Sequence, residues 1–264
     1  MNASRLADVE TWLDRLYIAA EGAGLRDEDR RKAREVAAML EEIERAASRL
    51  SHRSPLVLVD AASGKSYVGL LAARLVFEPA GVSARVITIE REASRVAISR
   101  RAVERLGTSI PIECRHAEVS DPSVWPDRPS IVAALHACGD AADAVIERAT
   151  SSNCRELLLV PCCTSRAVAA ATRAEARAAQ AGIPRQAPVR RRFIQAMVDA
   201  ERTWRLEAAG FETEVVEFVG ATVTPHNLLW RARKVGEPHR VAAAQRELAR
   251  IRSVDVSGSG RTTA

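Results

Sequence analysis

The sequence predicts an α/β fold built on a doubly wound, mostly parallel sheet, and three observations carry that expectation. From Leu56 onward, short apolar runs of strand length alternate with amphipathic segments of helix length. Runs such as Leu157-Leu158-Leu159-Val160 have no polar face, as strands covered by helices on both sides require. The first strand lies in Leu56 to Gly69, LVLVDAASGKSYVG, which ends on an acid, turns through small residues and starts a helix. That is the local form of a nucleotide-cofactor loop: small side chains let backbone approach a ligand, and the following helix start offers it N–H groups.

Ahead of the sheet, Leu6, Val9, Leu13, Leu16, Tyr17 and Ala20 share one helical face. Val36, Leu40, Ile43, Ala47 and Leu50 share another after an acidic start at Asp27-Glu28-Asp29. Residues 1–53 read as an N-terminal helical extension, with packing its commonest role and a lid or a substrate-reading element the alternatives. Strands are expected at 56–60, 85–89, near 111–115, 130–135 and 156–160, with helices at about 66–76, 92–106 and 141–149. An alanine- and arginine-rich helix at about 165–181 follows, then a long helix in which Phe193, Met197, Ala200 and Trp204 share a face. The last two strands, roughly 212–219 and 227–234, are separated only by a turn around Thr224-Pro225-His226, so they must run antiparallel. Residues 54–236 read as the main α/β domain. Residues 237–264 supply a polar C-terminal helix, from Pro238 to about Arg252, and a tail from Val256 expected to be disordered.

With 264 residues, 47% of them hydrophobic and 28% charged, the chain can bury one sizeable core. No apolar run is long enough to span a bilayer, and Asp8, Glu10 and Asp14 make the N-terminus unlike a basic signal peptide, which points to the cytosol and away from membranes. Five cysteines without a CxxC pair are expected to be reduced. The net charge of +5 and pI near 9.2 come almost wholly from arginine, since lysine occurs only at Lys32, Lys65 and Lys234. Arginine's planar fork suits phosphate, yet a GC-rich genome produces the same bias, so charge alone does not establish a nucleic-acid partner.

The loop after the first strand is decided by what it lacks. A phosphate-cradling loop needs GxxxxGK[ST]; Gly64-Lys65-Ser66 supplies the tail, but Val59 stands where the leading glycine belongs, and nucleotide hydrolysis ranks last. A dinucleotide fingerprint needs three glycines, and this loop has one. Asp60 closes the strand, with Ala62, Gly64 and Ser66 on the usual glycine positions, and Glu90 closes the second strand where a carboxylate accepts from both ribose hydroxyls. This pattern resembles motif I and its acidic partner in class I S-adenosylmethionine methyltransferases. LHACGDAADAVI from Leu135, VPCC from Val160 and TPHNLL from Thr224 sharpen the likeness. In that order they are similar to the branch of class I methyltransferases marked by HxCGxxxD and PCC motifs, which includes tRNA ribose 2′-O-methyltransferases and ribosomal RNA methyltransferases. The resemblance covers roughly Leu56 to Lys234. It implies a Rossmann-like class I methyltransferase sheet with an antiparallel last strand, S-adenosylmethionine as cofactor and RNA as substrate. Two rivals remain: methylation of a small molecule or protein, and a cofactor- or RNA-binding module without turnover.

The same resemblance assigns the cofactor to Asp60, Ala62, Gly64, Ser66 and Glu90, with His116 and Ala117 at the adenine. His116 stands where an acid is more usual, and an exposed loop histidine is the alternative reading. The catalytic candidates are His136, Cys138, Asp140 and Cys162. His136 is suited to remove a proton because imidazole titrates near neutrality; packing on the cofactor is its alternative role. Asp140 or Asp143 would orient it, although Asp143 equally suits the first turn of the following helix as a charge on its dipole. His136, Cys138, Cys162 and Cys163 have the composition of a Cys₃His zinc site, but adjacent cysteines point apart and lack the usual two-residue spacing. No metal is expected, and the cysteines are read as small polarisable walls of a substrate pocket. Asn227 either touches a substrate base or makes its turn. Arg185, Arg190, Arg191 and Arg192 form the densest basic cluster. Basic residues at a helix start oppose its dipole, so these four are the candidate grip on RNA phosphates.

Overall fold

The computed structural model describes residues 3–18, 24–161, 168–220, 223–224 and 227–253. Among these residues, seven strands form one sheet: β1 (Leu56–Ala61), β2 (Ala84–Glu90), β3 (Ile112–His116), β4 (Ile131–Ala137), β5 (Glu156–Pro161), β6 (Phe211–Glu217) and β7 (Leu228–Lys234). Their order is β3-β2-β1-β4-β5-β7-β6, parallel throughout except for β7, which runs antiparallel to both neighbours. This is the Rossmann-like class I methyltransferase sheet with its antiparallel last strand. The short connection between β6 and β7 dictates that reversal, as the sequence requires.

Among the described residues, eight α-helices surround the sheet: α1 (Ala3–Leu13), α2 (Asp27–Arg49), α3 (Tyr67–Ala72), α4 (Ala93–Leu106), α5 (Asp140–Ser151), α6 (Ala169–Gln180), α7 (Ala187–Ala208) and α8 (Pro238–Arg252), with α6 and α8 packed on α7. Because side chains alternate across a strand, each central strand feeds two cores. Leu58, Ile131 and Leu158 face Val9, Leu13, Met39, Leu40 and Ile43 from α1 and α2. Their neighbours Val59, Val132 and Leu159 face Val145 and Ile146 from α5 and Leu206 from α7, with Phe211 and Trp230 in the same layer. The N-terminal helices therefore belong to one of the two central cores.

Charge also ties α2 to the sheet. Buried Glu42 receives both Arg231 Nε and Arg231 Nη2 from β7, each at 2.8 Å, and Arg49 reaches buried Glu156 on β5 at 3.2 Å. A π-helical turn, Asp14–Ile18, follows α1 and carries Tyr17. The Tyr17 hydroxyl donates to the Lys65 carbonyl at 2.9 Å, and its ring meets Tyr67 edge-on at 4.6 Å. On the far edge, Asn227 Nδ2 donates to the Val219 carbonyl at 3.1 Å, so this side chain makes its turn. The start of the helix expected near 165, the turn residues Pro225 and His226, and the tail from Val256 lie outside the described residues.

Gly69 eases the close approach of helix α3 to β1 and β2. A β-carbon there would stand 3.1 Å from Asp60 Cβ, from Asp60 Oδ2 and from Thr88 Cγ2, all in the buried interior. Gly69→Ala is expected to destabilise the fold by about 1–3 kcal/mol, measured by denaturant unfolding, because the buried side chains of Asp60 and Thr88 must shift to admit a methyl group.

Candidate functional site

A cavity of about 580 Å³ opens at the carboxyl ends of β1 to β4, on the line where the strand order reverses. Its walls include Ala62 after β1, Glu90 at the end of β2, Ala117 and Val119 after β3, and His136, Cys138 and Asp140 around the end of β4.

The loop after β1 is wound through three left-handed residues, Ala62 (φ 54°), Gly64 (φ 57°) and Ser66 (φ 60°). These are the positions marked as glycine-like in the sequence, and two of them carry a β-carbon that this conformation disfavours. The winding turns the loop's own N–H groups inward. Ser63 donates to the Ile89 carbonyl at 3.0 Å, Gly64 to Glu90 Oε2 at 2.8 Å, and Ser66 to the Ser63 carbonyl at 2.8 Å. Those donors are therefore committed within the fold, and they do not form the phosphate cradle that Gly64-Lys65-Ser66 would need for nucleotide hydrolysis.

Glu90 is consequently fixed twice, since its other oxygen accepts the Glu92 N–H at 2.9 Å. An ionised carboxylate has about four acceptor positions. Two are used by backbone, and two remain to meet hydroxyl groups in the cavity. Asp60, by contrast, lies beneath the loop at 2% exposure, where Oδ2 accepts the Gly69 N–H at 2.8 Å. It supports the loop and does not line the cavity; Gly64 and Ser66, within the loop, do not line it either.

His116 does not enter the cavity either. It is exposed, with Nε2 2.9 Å from the Arg91 carbonyl oxygen. Ala117 lines the wall, with its N–H donating to the Glu90 carbonyl at 3.0 Å, so any contact of this residue to an adenine falls to its side chain or carbonyl. Val119 and Ser120, two and three residues further on, complete that wall. Strand β3 ends before the chain reaches the cavity, and periodicity carries no signal for so small an offset.

On the opposite wall, the register of β4 against β5 slips between Leu135 and Ala137, leaving His136 as the extra residue of a β-bulge with φ +62°. Bulges of this kind re-aim a side chain at the end of a strand. His136 Nε2 donates to Glu35 Oε1 at 2.8 Å, so the carboxylate that orients it comes from α2. The sequence reading looked for that partner in Asp140 or Asp143. Asp143 is instead held by the buried Arg202 guanidinium at 2.9 Å and by Arg205, which pins α7 against α5. Asp140 starts α5 and lines the cavity. Cys138 also lines it and is disulfide-bonded, against the expectation of reduced cysteines, whereas Cys114 and Cys154 are free thiols. Cys162 and Cys163 lie outside the described residues, and among the described residues no cluster of potential ligands could hold a metal ion.

A second cavity of about 430 Å³ shares Asp140, Asp143 and Arg205 with the first and adds Arg173 and Arg252, which both pair with the buried carboxylate of Glu201. In the basic cluster on and before α7, Arg190 is tied to Glu175 at 2.8 Å, while Arg185, Arg191 and Arg192 are exposed.

Two consequences can be measured. Ala62→Gly removes a β-carbon from a left-handed residue and is expected to raise stability by roughly 0.5–1 kcal/mol in denaturant unfolding, the relief of strain exceeding the entropy gained by the unfolded chain. Burial pushes the Asp60 carboxyl up from 3.8 to about 7, with the Gly69 N–H opposing the shift and the charge on Glu90 adding to it. The folded protein thus keeps a proton that the unfolded chain has released, and this group's contribution to stability falls as pH rises from 3.8 to about 7. Asp60→Asn keeps an acceptor for Gly69 and cannot ionise. Its melting temperature, relative to that of the unaltered protein, is expected to climb across that interval and level off above it.

Among solved structures, the fold is similar to an S-adenosylhomocysteine-bound methyltransferase of Podospora anserina, at 12% identity and TM-score 0.49 over 89% of each chain. It is similar to the magnesium protoporphyrin IX methyltransferase of Synechocystis with bound S-adenosylmethionine, at 13% identity and TM-score 0.47 over 89% of this chain and all (100%) of that one. A methyltransferase from Geobacter sulfurreducens aligns at 15% identity and TM-score 0.41, over 88% of this chain and 91% of its own. No curated protein matches the sequence. Among the described residues, no helix is long and apolar enough to cross a membrane. A family model described as a methyltransferase domain matches residues 31–170, more than half of the chain, from within α2 to the start of α6. The chain belongs to this methyltransferase-domain family.

Proposed function

We propose that the protein is a cytosolic S-adenosylmethionine-dependent methyltransferase that acts on RNA, of the branch with HxCGxxxD and PCC motifs. The observation that carries the cofactor reading is the Glu90 carboxylate, immobilised by two backbone N–H groups at the edge of the cavity and still able to accept from a pair of ribose hydroxyls. The cavity volume of about 580 Å³ falls within the range of small-molecule sites, about 300–1,000 Å³. Ala62 keeps the loop low beside it, and Ala117 and Val119 offer an apolar wall for a planar base.

When bound, the cofactor supplies a methyl carbon activated by positive sulfur, whose C–S bond breaks with its electron pair going to sulfur as a substrate lone pair forms the new bond. The chain's own task is to align the substrate atom, exclude water and, for a hydroxyl or amine, take away a proton. His136 is the residue for that proton, on the cavity wall across from Glu90. Asp140 and Cys138 shape the same wall, with Cys162 two positions beyond Val160 in the family's PCC motif.

RNA is the substrate class favoured by the basic surroundings. Exposed Arg185, Arg191 and Arg192 precede or begin α7, the helix that also carries Arg205 into both cavities. Arg173 and Arg252 share one buried glutamate, so that pocket brings two cations to one anion.

Calorimetric titration with S-adenosylmethionine and S-adenosylhomocysteine, repeated on Glu90→Ala, tests the cofactor reading. The substitution is expected to weaken binding roughly 10- to 100-fold, the loss of charge-assisted hydrogen bonds to two hydroxyls. Transfer of labelled methyl groups to unfractionated tRNA and rRNA, with retention falling steeply as salt rises, is the expected result for the substrate. Cofactor binding with no RNA retention at low salt would assign the enzyme to a small molecule or protein instead.

A further inference from the structure

We propose that Glu35 of helix α2 is a positioning residue for His136, so that α2 completes the site where the substrate proton is removed. The inference rests on the methyltransferase reading above and adds to it a residue far outside the strand-end motifs.

Three features converge on the pair. First, His136 stands in a left-handed conformation at a β-bulge, which costs a non-glycine residue energy and persists only where surrounding structure enforces it. Second, the ring at this bulge meets a carboxylate with 8% of its side chain exposed, 2.8 Å from Nε2 and 101 residues away in the chain. Third, that carboxylate is prepared as an acceptor. Burial alone would raise the Glu35 pKa, but the hydrogen bond from His136 and the charge of Lys32, 3.3 Å from its other oxygen, outweigh burial and hold it below the usual value.

An ionised carboxylate can only accept, so Nε2 of the neutral ring must carry the proton and Nδ1 the lone pair. Glu35 thereby selects one of the two tautomers and keeps the ring from turning. When the substrate's hydroxyl or amine gives up its proton, Nδ1 takes it, Glu35 offsets the positive charge that forms on the ring, and the proton then leaves to water. A glutamate placed only to hold α2 on the sheet would not need to meet this ring, because Glu42 and Arg49 already make such contacts to Arg231 and Glu156.

The test compares the full chain with Glu35→Gln, using Glu42→Gln as a control that loosens the same helix away from the site. Long-range nitrogen-proton NMR of the His136 ring, at a pH where imidazole is neutral, is expected to show the Nε2-protonated tautomer in the unaltered protein and in Glu42→Gln, and a mixture in Glu35→Gln. With unfractionated tRNA and rRNA as probe, Glu35→Gln is expected to lower kcat by about 10²-fold, the lower bound of a general-base contribution, with KM changed less than twofold. S-adenosylhomocysteine affinity is expected to stay within twofold. An unchanged ring tautomer in Glu35→Gln, or an equal loss of kcat in Glu42→Gln, overturns the proposal. If the unaltered protein binds S-adenosylhomocysteine but methylates neither RNA, the RNA reading fails and the tautomer still decides the role of Glu35. If it binds no S-adenosylhomocysteine, the methyltransferase reading itself fails, and the role proposed for Glu35 fails with it.

Discussion

The reversal of strand order between β1 and β4 is the constraint from which the site follows. To one side of that line the chain steps through β2 to β3, and to the other through β5, so the connections after β1 and β4 leave in opposite directions and a gap opens between them. Backbone can line such a gap only if it is satisfied locally, because the groups there have lost their sheet partners. The loop after β1 meets this demand by spending its N–H groups on Ile89, Glu90 and itself. In doing so it anchors Glu90, the carboxylate that faces the gap.

That local satisfaction requires strain. Ala62, Ser66 and His136 all have positive φ without being glycine, and all three border or support the same cavity. Each costs on the order of 1–2 kcal/mol in the left-handed region. The surrounding packing supplies the compensation: Gly69 lets α3 press against β1 and β2, Tyr17 holds the Lys65 carbonyl from above, and Glu35 secures the His136 ring. Strain of this kind is the form that preorganisation takes in a site whose loops are short.

Electrostatics does a second kind of structural work. Many of the arginines that give the chain its basic character are occupied within the fold. Arg231 grips Glu42, Arg202 and Arg205 converge on Asp143, Arg173 and Arg252 on Glu201, and Arg240 on Glu207. Those pairs tie α2 to the sheet, α7 to α5, and α8 to α7. Where the carboxylate is buried, the arginine is needed to keep it compensated, and removing either partner leaves a charge in low dielectric. Arginine in this chain is thus often a clamp between elements, and exposed members such as those near the start of α7 are free of that task.

The sequence by itself determined the architecture: strand-length apolar runs separated by helices can form little other than a parallel sheet with two covered faces, and a two-strand ending joined by a turn must close antiparallel. It also located the strand ends from which Ala62, Glu90, Ala117, His136, Cys138 and Asp140 line one cavity, because side-chain period and motif order are local properties of the chain. Tertiary structure decided the rest. That Asp60 supports the loop from below depends on how closely α3 lies on β1, and that His116 turns outward depends on where β3 ends. The choice of Glu35 over Asp140 or Asp143 as the partner of His136 depends on the docking of α2, a contact across 101 residues that no spacing encodes. Motifs record which side chains the backbone can present, whereas which partner each side chain meets is set by how separate elements pack in space.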